Sequence, residues 1–593
     1  MLGKYNFDIC GIRLYTHQRG YKRLFSCIKM LRKSIVVKFL RGLNMKKGNS
    51  IFLIIVTFAW FGCSSCGVQG QQAASSGSVT PGKSVSIAPP QNLMVPPMGY
   101  DDSSITLIWS KPSDYSNIVG YNVYQEGSLA GNTKNLFYTA TELIEPGLPY
   151  SFFVTAVDAS GAESEPSNKI IQSAAPKKDV FDVTKYGAVG DGTTLNTAAI
   201  QKAIDECSPG GKVLIPSGIF LSGALFLKSD MTLQIDGVLR GSDDASDYPQ
   251  TSKRFPYYLS GNNFAGLINA YTTDYYSIKN VRICGSGAVN GGSDVVGSIT
   301  GHPNTILGNN QVAASEGDDS DRADMVTIKG VDGLYIGGLT FVNPAMHTIF
   351  ISYSKNITVN GINISTYDIH NADGINVCTS DTAYIFNSTF DTGDDCINFN
   401  AGVGADGVRE NYSTRNVRVF NCITKHGHGG VAFGSFTAAW FQDFVVEDCI
   451  FDGTDRGLRF KTGLKQGGGA KNILCRDIVM KDIVKDAIFF DSAYSCSYPS
   501  AGPGQFKDIV VKNVSCSGVG RYGIYINGSP EAEHNNISIS NVTIDGAKKA
   551  GAYLKHCANC KFNTVSIKNS RAGWVIDPDT TSGLKFENCN PQP

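Results

Sequence analysis

The chain has 593 residues, more than one ordinary core accommodates, which indicates several domains or one long repeat domain. Only 18% of the residues are charged, and 52 cationic side chains balance 52 acidic ones. This balance excludes a nucleic-acid-binding protein with a broad basic surface, so a polyanionic partner would have to be bound by local cations.

The N-terminal segment is expected to carry an export signal. Residues 45–66 begin with two lysines, continue as an apolar run to Phe61 and end in small residues, which is the pattern of a signal peptide. Residues 1–44 fit no targeting pattern and are interpreted as a non-native extension. Cys63 resembles a bacterial lipoprotein cleavage site, so we expect either lipidation with membrane attachment or free secretion. The expected location is secreted, periplasmic or at the bacterial surface.

A flexible linker and a small domain follow. Residues 67–87 are rich in Ser, Gly and Gln, a composition that cannot bury a core. Residues 88–176 contain short alternating strands separated by turns, which predicts a small β-sandwich with Trp109 in its core. This segment resembles a fibronectin type III domain, with Tyr150 at the place of that family's corner tyrosine. The resemblance implies a spacer, with sugar binding as the alternative.

The remainder, residues 181–593, shows a repeat. One helix is predicted at 196–207 from apolar residues at helical spacing. From about residue 325 a unit of two short strands recurs roughly every 20 to 30 residues, which indicates a solenoid of parallel strands. The expected fold class is therefore all-β, a right-handed parallel β-helix preceded by a small β-sandwich.

The 16 cysteines do not form an obvious disulfide framework. Most lie singly inside apolar runs, where cysteine acts as a small core hydrophobe, so we expect stacked and mostly reduced thiols. One or two disulfides are the alternative, with Cys557 and Cys560 as the favoured pair. No second matching pair accompanies them, so no zinc site and no other metal or cofactor is expected.

Polar residues converge on one face of the repeat. Successive turns of a β-helix lie roughly 4.8 Å apart, so equal positions in successive strands form columns. Aligning four strands on their first apolar residue places these side chains on one surface: Asp373, Asp394, Asp395, His428, Arg459 and Lys461. Asp373 and Asp395 share one column, and Asp394 shares the preceding column with His428. Any one of these residues could be a turn or surface residue. Their co-alignment indicates a site.

The site chemistry suits glycosidic hydrolysis. Two carboxylates one turn apart repel each other, so at least one should have a raised pKa and retain a proton, which supplies a general acid. Ionised neighbours can then orient and deprotonate a water. Arg459 and Lys461 have no apparent acidic partner in their strand and suit a sugar carboxylate.

Four ordered motifs make the resemblance specific. They look like those of the polygalacturonase family of glycoside hydrolases and are NADG at 371–374, GDDC at 393–396, GHG at 427–429 and RFK at 459–461. The resemblance implies inverting hydrolysis of α-1,4-galacturonosidic bonds in polygalacturonate or pectin. Asp394 would be the general acid, supported by His428, and Asp373 and Asp395 would activate water. The substrate-binding residues would be Asn371, Arg459, Lys461 and Tyr494.

Two departures from the family pattern bear on the substrate. Ala372 stands where threonine is usual, and Phe436 and Trp440 stand where related enzymes more often carry polar or small residues. We expect a monomer whose partner is an acidic polysaccharide.

The mode of attack stays open at this point. A fibronectin-like domain ahead of the repeat is similar to the organisation of bacterial exo-poly-galacturonosidases, and insertions after residues 290 and 400 could close one end of a cleft. Endo attack is the alternative. A pectate lyase would share the fold but does not explain the aspartate pair and His428. A non-catalytic carbohydrate-binding β-helix is the other alternative.

Overall fold

The computed structural model describes most of the chain after the linker, and all the described residues belong to one compact unit, Ser84–Pro593. The described residues are 87–251, 263–292, 323–367, 369–494 and 499–593. The predicted extension, the signal peptide with Cys63, the linker up to residue 86 and most of the insertion after residue 290 lie outside them. No helix in the described part is long and apolar enough to cross a membrane.

Seven antiparallel strands form a β-sandwich where one was predicted. One sheet contains Gln91–Met94, Ile105–Ser110 and Phe137–Ala140. The other contains Ser128–Thr133, Ile118–Gln125, Pro149–Asp158 and Ile170–Ser173. Trp109 is fully buried between the sheets, as predicted. The backbone N–H of Glu145 donates to Oη of Tyr150 at 2.7 Å, which is the hydrogen bond of a tyrosine corner. The relationship to fibronectin type III domains stays a prediction.

The remaining chain winds into a parallel β-helix with three faces. The first face is built from Val180–Asp182, Lys212–Ile215, Met231–Ile235, Ile278–Cys284, Val331–Gly337, Lys355–Asn360, Asp381–Phe386, Thr414–Phe420, Phe441–Glu447, Gly469–Lys481, Gln505–Ser517, His534–Asp545, Cys557–Ala558, Lys561–Lys568, Thr581–Ser582 and Lys585–Glu587. The second face is built from Asp191–Leu195, Ile219–Ser222, Val238–Gly241, Ala288–Asn290, Thr340–Val342, Asn363–Thr366, Thr389–Thr392, Ile423–Thr424 and Ile450–Asp452. Both faces belong to one 25-stranded sheet, and three of the long strands run from the first face onto the second.

The third face, called the site face below, is a separate sheet of 12 parallel strands. Its strands are Leu225–Phe226, Ile268–Tyr271, Val326–Lys329, Ile349–Ser352, Ile375–Cys378, Ile397–Asn400, Val431–Phe433, Arg456–Lys461, Asp486–Asp491, Tyr522–Asn527, Ala550–Lys555 and Trp574–Ile576. The fold class predicted for the chain is confirmed.

A polar residue with positive φ marks the start of most turns of the solenoid. The φ angles lie between 51° and 63° at Asn280, Asn356, Thr382, Asn416, Asp443, Asn472, Asp508 and Asn536. Asparagine and aspartate tolerate this left-handed backbone better than most residues because their short side chains bond locally. Several of them also link successive turns, as where Asn416 donates to Asp381 at 2.7 Å. This requirement accounts for the Asn or Asp that precedes most apolar runs in the repeat.

Two α-helices lie within the described residues, and one was predicted. Thr197–Glu206, flanked by Asn196 and Cys207, buries Ile200 and Ile204 against the first turns of the solenoid. Gly404–Glu410 was not predicted, since seven residues with two glycines show no helical periodicity. The minor elements are the 3₁₀ helices Val183–Tyr186 and Ala245–Asp247 and the strand pair Gln250–Thr251 and Asn263–Phe264.

The solenoid interior contains reduced cysteines. All eleven described cysteines are free, and all but Cys284 are buried, which confirms the predicted core role. The favoured disulfide is wrong, because Cys557 and Cys560 are both buried free thiols, and Sγ of Cys560 donates to the carbonyl of Ala558 at 3.5 Å.

The sandwich packs directly on the first face of the solenoid. Phe386 and Phe420 point outward from that face and join the core of the sandwich, where Phe386 contacts Phe137 at 5.4 Å between ring centroids. Lys111 of the sandwich pairs with Asp448 at 2.6 Å and also with Asp477. The small domain is therefore fixed on the repeat domain and is not a freely moving spacer.

Candidate active site

The strand register confirms the predicted columns. Ile375 pairs with Ile397, Ile397 with Val431, and Val431 with Leu458. Counting back along each strand, Asp373 and Asp395 fall in one column, and Asp394 and His428 fall in the column before it. The parallel ladder therefore carries the predicted polar residues to one place.

Asp395 is the ion-pairing centre of the site. Its side chain is 1% exposed, and it accepts hydrogen bonds from Nη1 of Arg459 at 2.7 Å and from Nζ of Lys461 at 2.9 Å. Both cations lie two turns farther along the solenoid. Gly429 occupies the turn between them, where a Cβ would come within 2.8 Å of Oδ1 of Asp395 and 3.1 Å of Arg459. A glycine at this position therefore leaves the space through which Arg459 reaches the carboxylate.

Arg459 and Lys461 have no acidic partner in their own strand, as the sequence indicates, but both pair with Asp395. Their partner comes from a strand two turns away and is not visible when each strand is read alone. Burial raises the pKa of Asp395, but the charges of Arg459 and Lys461 outweigh it and hold this pKa below its usual range. Two cations share one carboxylate, so a positive charge remains in the group and can attract a second anion.

Asp394 is paired with His428. Nδ1 of His428 lies 3.0 Å from Oδ1 of Asp394, which also accepts the backbone N–H of Asp395 at 2.8 Å. Burial raises the pKa of Asp394, but the hydrogen bond and charge of His428, with the cations behind it, lower this pKa below its usual range. The hydrogen bond to Asp394 correspondingly raises the pKa of His428. Both shifts favour the proton on the imidazole of His428 over the carboxylate of Asp394.

Asp373 is the aspartate whose protonated form the site favours. Burial, followed by the charges of Asp394 and Asp395, raises the pKa of Asp373 well above its usual range. Nδ2 of Asn398 lies 3.3 Å from its Oδ2. The expectation that one carboxyl group has a raised pKa is confirmed. It falls on Asp373, whereas the resemblance implies Asp394 as the general acid.

A cavity of about 120 Å³ opens beside these groups. It is lined by His347, Phe350, Asp373, Asn376, Asn398, Asn400, Gly434, Ser435, Phe436 and Lys461. Nδ2 of Asn376, Oδ1 of Asn398 and Nε of Arg459 are buried and have no hydrogen-bond partner among the described residues. Buried polar atoms rarely stay unpaired, so these atoms are suited to the hydroxyl groups of a bound sugar.

The site face is covered on one side of the carboxylates and open on the other. Toward the N-terminus, side chains that point away from the solenoid are nevertheless buried, including Phe350, Ser352 and Cys378. Phe350 and Cys378 pack in a cluster with Tyr353, Val403 and Phe436. Toward the C-terminus, equivalent outward residues such as Tyr525 and Tyr553 are partly exposed. The described residues thus close one end of the groove.

The helix Gly404–Glu410 contributes to this closure. Tyr353 donates a 2.7 Å hydrogen bond to Glu410, and Val403, which precedes the helix, belongs to the same cluster. The insertion after residue 400 therefore lies at the closed end, as the sequence suggested. The insertion after residue 290 falls mostly outside the described residues.

The other predicted binding residues lie at different depths. Tyr494 is 39% exposed, with its ring centroid 5.3 Å from Nζ of Lys461, so it is placed to contact the same ligand. Asn371 has φ of 55°, and its backbone carbonyl accepts the N–H of Asp373 at 3.0 Å. Its side chain is not among the cavity-lining groups of the described residues. Phe436 lines the cavity, whereas Trp440 packs away from it against Lys471 and Lys507.

The sequence did not predict four residues of the site: His347, Asp324 and the paired asparagines Asn376 and Asn398. His347 and Asp324 occupy the same column as Asp373, one and two turns earlier, because Val326 and Ile349 are in register with Ile375. Extending the strand alignment by two units would have found them. No group of three or more His, Cys, Asp or Glu side chains in the described part is arranged to hold a metal ion.

The site combines carboxyl groups whose pKa values are shifted in opposite directions with cations and a cavity. On a parallel β-helix, this combination is typical of a glycoside hydrolase that acts on an acidic polysaccharide. The model of glycosyl hydrolases family 28 matches residues 210–570. The chain belongs to this family. The predicted identification as a glycoside hydrolase of the polygalacturonase family is confirmed, which sets aside the lyase and the non-catalytic alternatives.

Individual relatives agree with this placement. The chain is 36% identical over 501 residues to the exo-poly-alpha-D-galacturonosidase of Dickeya chrysanthemi, covering 74% of this chain and 83% of that protein. It is 30% identical over 353 residues to a probable polygalacturonase of Vitis vinifera, covering 56% and 68%. The structure of the family 28 exopolygalacturonase of Yersinia enterocolitica matches with a TM-score of 0.76 at 33% identity, covering 84% of this chain and 98% of that chain.

Proposed function

We propose that this protein is an exo-acting polygalacturonase that hydrolyses the α-1,4-galacturonosidic bonds of polygalacturonate at a chain end, with inversion. The observation that carries the exo assignment is the groove that is covered on one side of the carboxylates and open on the other. A closed end accepts only a chain terminus, and the open side accommodates the rest of the polymer. The names of the Dickeya and Yersinia relatives support the same mode of attack.

The acidic substrate is recognised by the surplus positive charge around Asp395. Lys461 lines the cavity, and Arg459 keeps a buried Nε without a partner among the described residues. A uronate carboxylate that binds here supplies a second anion, so that Arg459 and Lys461 are balanced by two carboxylates. A neutral sugar cannot supply this charge. Tyr494 beside Lys461 supports the ring of the same sugar unit.

In the proposed reaction, Asp394 protonates the leaving glycosidic oxygen as the bond from C1 to that oxygen breaks. The proton comes from His428, which holds it 3.0 Å from Asp394 in the free protein and passes it on as the substrate covers the pair. A water held by Asp373 and Asp395 attacks C1 from the opposite side and gives one proton to the ionised Asp373 carboxylate. No covalent intermediate forms.

The location of the protein follows from the size of its substrate. Polygalacturonate is a polymer that has to be degraded outside the cytoplasm, so the proposal includes export through the predicted signal at 45–66. Attachment through lipidated Cys63 and a monomeric state stay predictions.

Incubation with polygalacturonate is expected to release mono- or digalacturonate from the first minutes, with little loss of viscosity, because only chain ends enter the closed groove. Chromatography of a time course, with viscometry on the same samples, measures this. A ladder of intermediate oligomers with rapid thinning would show endo attack. Equal release of reducing ends from a neutral galactan would contradict the uronate assignment altogether.

The first-formed reducing end is expected to be the β-anomer, since single displacement inverts the α-linkage of the substrate. Proton NMR during the first minutes, before mutarotation, resolves the two anomers. Azide should rescue neither Asp373→Ala nor Asp395→Ala by forming a glycosyl azide of retained configuration. An initial α-anomer would establish a double displacement and overturn the proposed mechanism.

A further inference from the structure

The column that holds Asp373 continues toward the N-terminus as a chain of three titratable groups. Nδ1 of His347 lies 2.8 Å from Oδ1 of Asp324, and Nε2 of the same ring lies 4.0 Å from Oδ1 of Asp373. The first distance is a hydrogen bond, and the second is within range for a charge interaction. The imidazole is therefore placed between two carboxyl groups.

These groups are shielded from solvent and held in place. The exposed fraction of the side chain is 4% for Asp324, 14% for His347 and 7% for Asp373. The His347 ring stacks on Phe350 with 5.6 Å between centroids, which restricts its rotation. Because Asp324 accepts a hydrogen bond from Nδ1–H, the Nε2 atom is the one directed toward Asp373.

Asp373 needs such a neighbour for the proposed reaction. It is faced by Asp394 and Asp395 from the next turn, by Lys461 from farther along, and by His347 from the preceding turn. Burial and the two carboxylates favour its protonated form, yet a group that deprotonates water has to be ionised. Of the groups that face Asp373, Lys461 already pairs with Asp395, so His347 is the one placed to take the proton.

We propose, on the basis of the proposed function, that Asp324 and His347 are positioning residues that keep Asp373 ionised while it activates the attacking water. The proton leaves Oδ1 of Asp373 and reaches Nε2 of His347 across the 4.0 Å gap through one intervening water, while Nδ1–H stays hydrogen-bonded to Asp324. The resulting imidazolium lies between two carboxylates, which stabilise its charge. The same arrangement directs the Asp373 carboxylate into the cavity, which Asp373 and His347 line.

The test is the pH profile of kcat/KM on polygalacturonate for His347→Gln, which retains a hydrogen-bonding side chain but cannot carry the charge. Without the imidazolium the pKa of Asp373 rises, so a larger fraction is protonated at a given acidic pH and the acid limb moves to higher pH. We expect a loss of about tenfold or more on the acid side that shrinks toward alkaline pH. Asp324→Asn should move the limb in the same direction, because the imidazolium loses its partner.

His426→Gln is the matched control, since His426 forms a similar pair with Asp391 at 2.9 Å and does not line the cavity. Its pH profile should equal that of the wild type. A loss for His347→Gln that is the same at every pH, or that appears only as a raised KM, would reduce His347 to a packing or sugar-contacting residue and overturn the inference. Thermal unfolding of each variant identifies a folding defect.

A second readout separates this inference from the proposed function. In ¹⁵N-histidine-labelled protein, His347 should titrate above free histidine, and Asp373→Asn should lower its pKa because one flanking carboxylate is lost. This NMR titration needs no substrate. If the wild type did not hydrolyse polygalacturonate, the proposed function would be refuted. The titration would still show whether Asp373 and His347 exchange a proton. A His347 that titrates identically in wild type and Asp373→Asn would refute the exchange.

Discussion

Asp394→Asn is expected to reduce kcat on polygalacturonate by about 10² to 10⁴-fold or more, because the amide cannot protonate the leaving oxygen. Asparagine keeps the shape of the side chain, and its amide oxygen can still accept the backbone N–H of Asp395. Substrate binding should therefore change little, and the loss should appear in kcat while KM is largely retained. Steady-state kinetics with equilibrium binding of a galacturonate oligomer measures both.

The matched variant is Asp373→Asn, which should also be inactive but should differ in stability. The fold lowers the pKa of Asp394, so its ionised form stabilises the protein above the unfolded-state pKa, and this contribution is lost as pH falls through the folded-state pKa. The fold raises the pKa of Asp373, so its ionised form opposes folding at neutral pH. At neutral pH we expect Asp394→Asn to lower the unfolding midpoint and Asp373→Asn to raise it.

These two variants also decide which carboxyl group donates the proton. If Asp394→Asn retained most of its kcat while Asp373→Asn lost it, the donor would be Asp373, the group whose raised pKa favours its protonated form. A substrate with an activated leaving group, which needs little protonation, should restore the rate of the variant that lacks the true acid and not that of the other.

Arg459→Ala and Lys461→Ala are expected to lower kcat/KM on polygalacturonate about ten- to a hundredfold each, since a hydrogen bond to a charged group contributes about 1.5 to 3 kcal/mol. Each variant also leaves Asp395 short of one partner in a buried site. Breaking a buried ion pair costs about 3 to 5 kcal/mol of the free energy of unfolding, so stability has to be measured with the kinetics.

The control for the two cations is Lys481→Ala, which removes an exposed lysine from the long strand Gly469–Lys481. It should change neither kcat/KM nor the free energy of unfolding. Phe460, between the cations, is unsuitable because its ring is buried in a stack with Phe433 and Phe490. The two losses should not add in the double variant, since both cations share Asp395. Undiminished turnover in either single variant would show that the uronate carboxylate is bound elsewhere.

The solenoid and its catalytic columns could be predicted because a parallel ladder preserves sequence register. Once Ile375, Ile397 and Val431 were aligned, the position of every residue on those strands followed. The pairing of Asp395 with Arg459 could not be predicted this way, because a long side chain reaches across two turns and past Gly429. That geometry depends on side-chain conformation, which the repeat does not encode.

The sequence also could not predict which aspartate has the raised pKa. Repulsion among the aspartates predicted that one of them has a raised pKa. Which aspartate this is depends on burial and on the pairing of Asp395 with Arg459 and Lys461, and neither can be read from the sequence. The helix Gly404–Glu410 was missed because it is too short to show periodicity, although the insertion that contains it was expected at the end of the cleft.

The sandwich that packs on the first face affects local unfolding of the repeat domain. In a solenoid each turn contacts only its neighbours, so separate regions can unfold independently. Here Arg282 pairs with Asp101 of the sandwich, Lys111 reaches Asp448, and Tyr115 accepts a hydrogen bond from Asn513. One small domain thus fastens turns that are far apart along the solenoid, and the catalytic turns lie between its outermost attachments. We therefore expect the groove between these attachments to open locally less readily than the turns beyond residue 513.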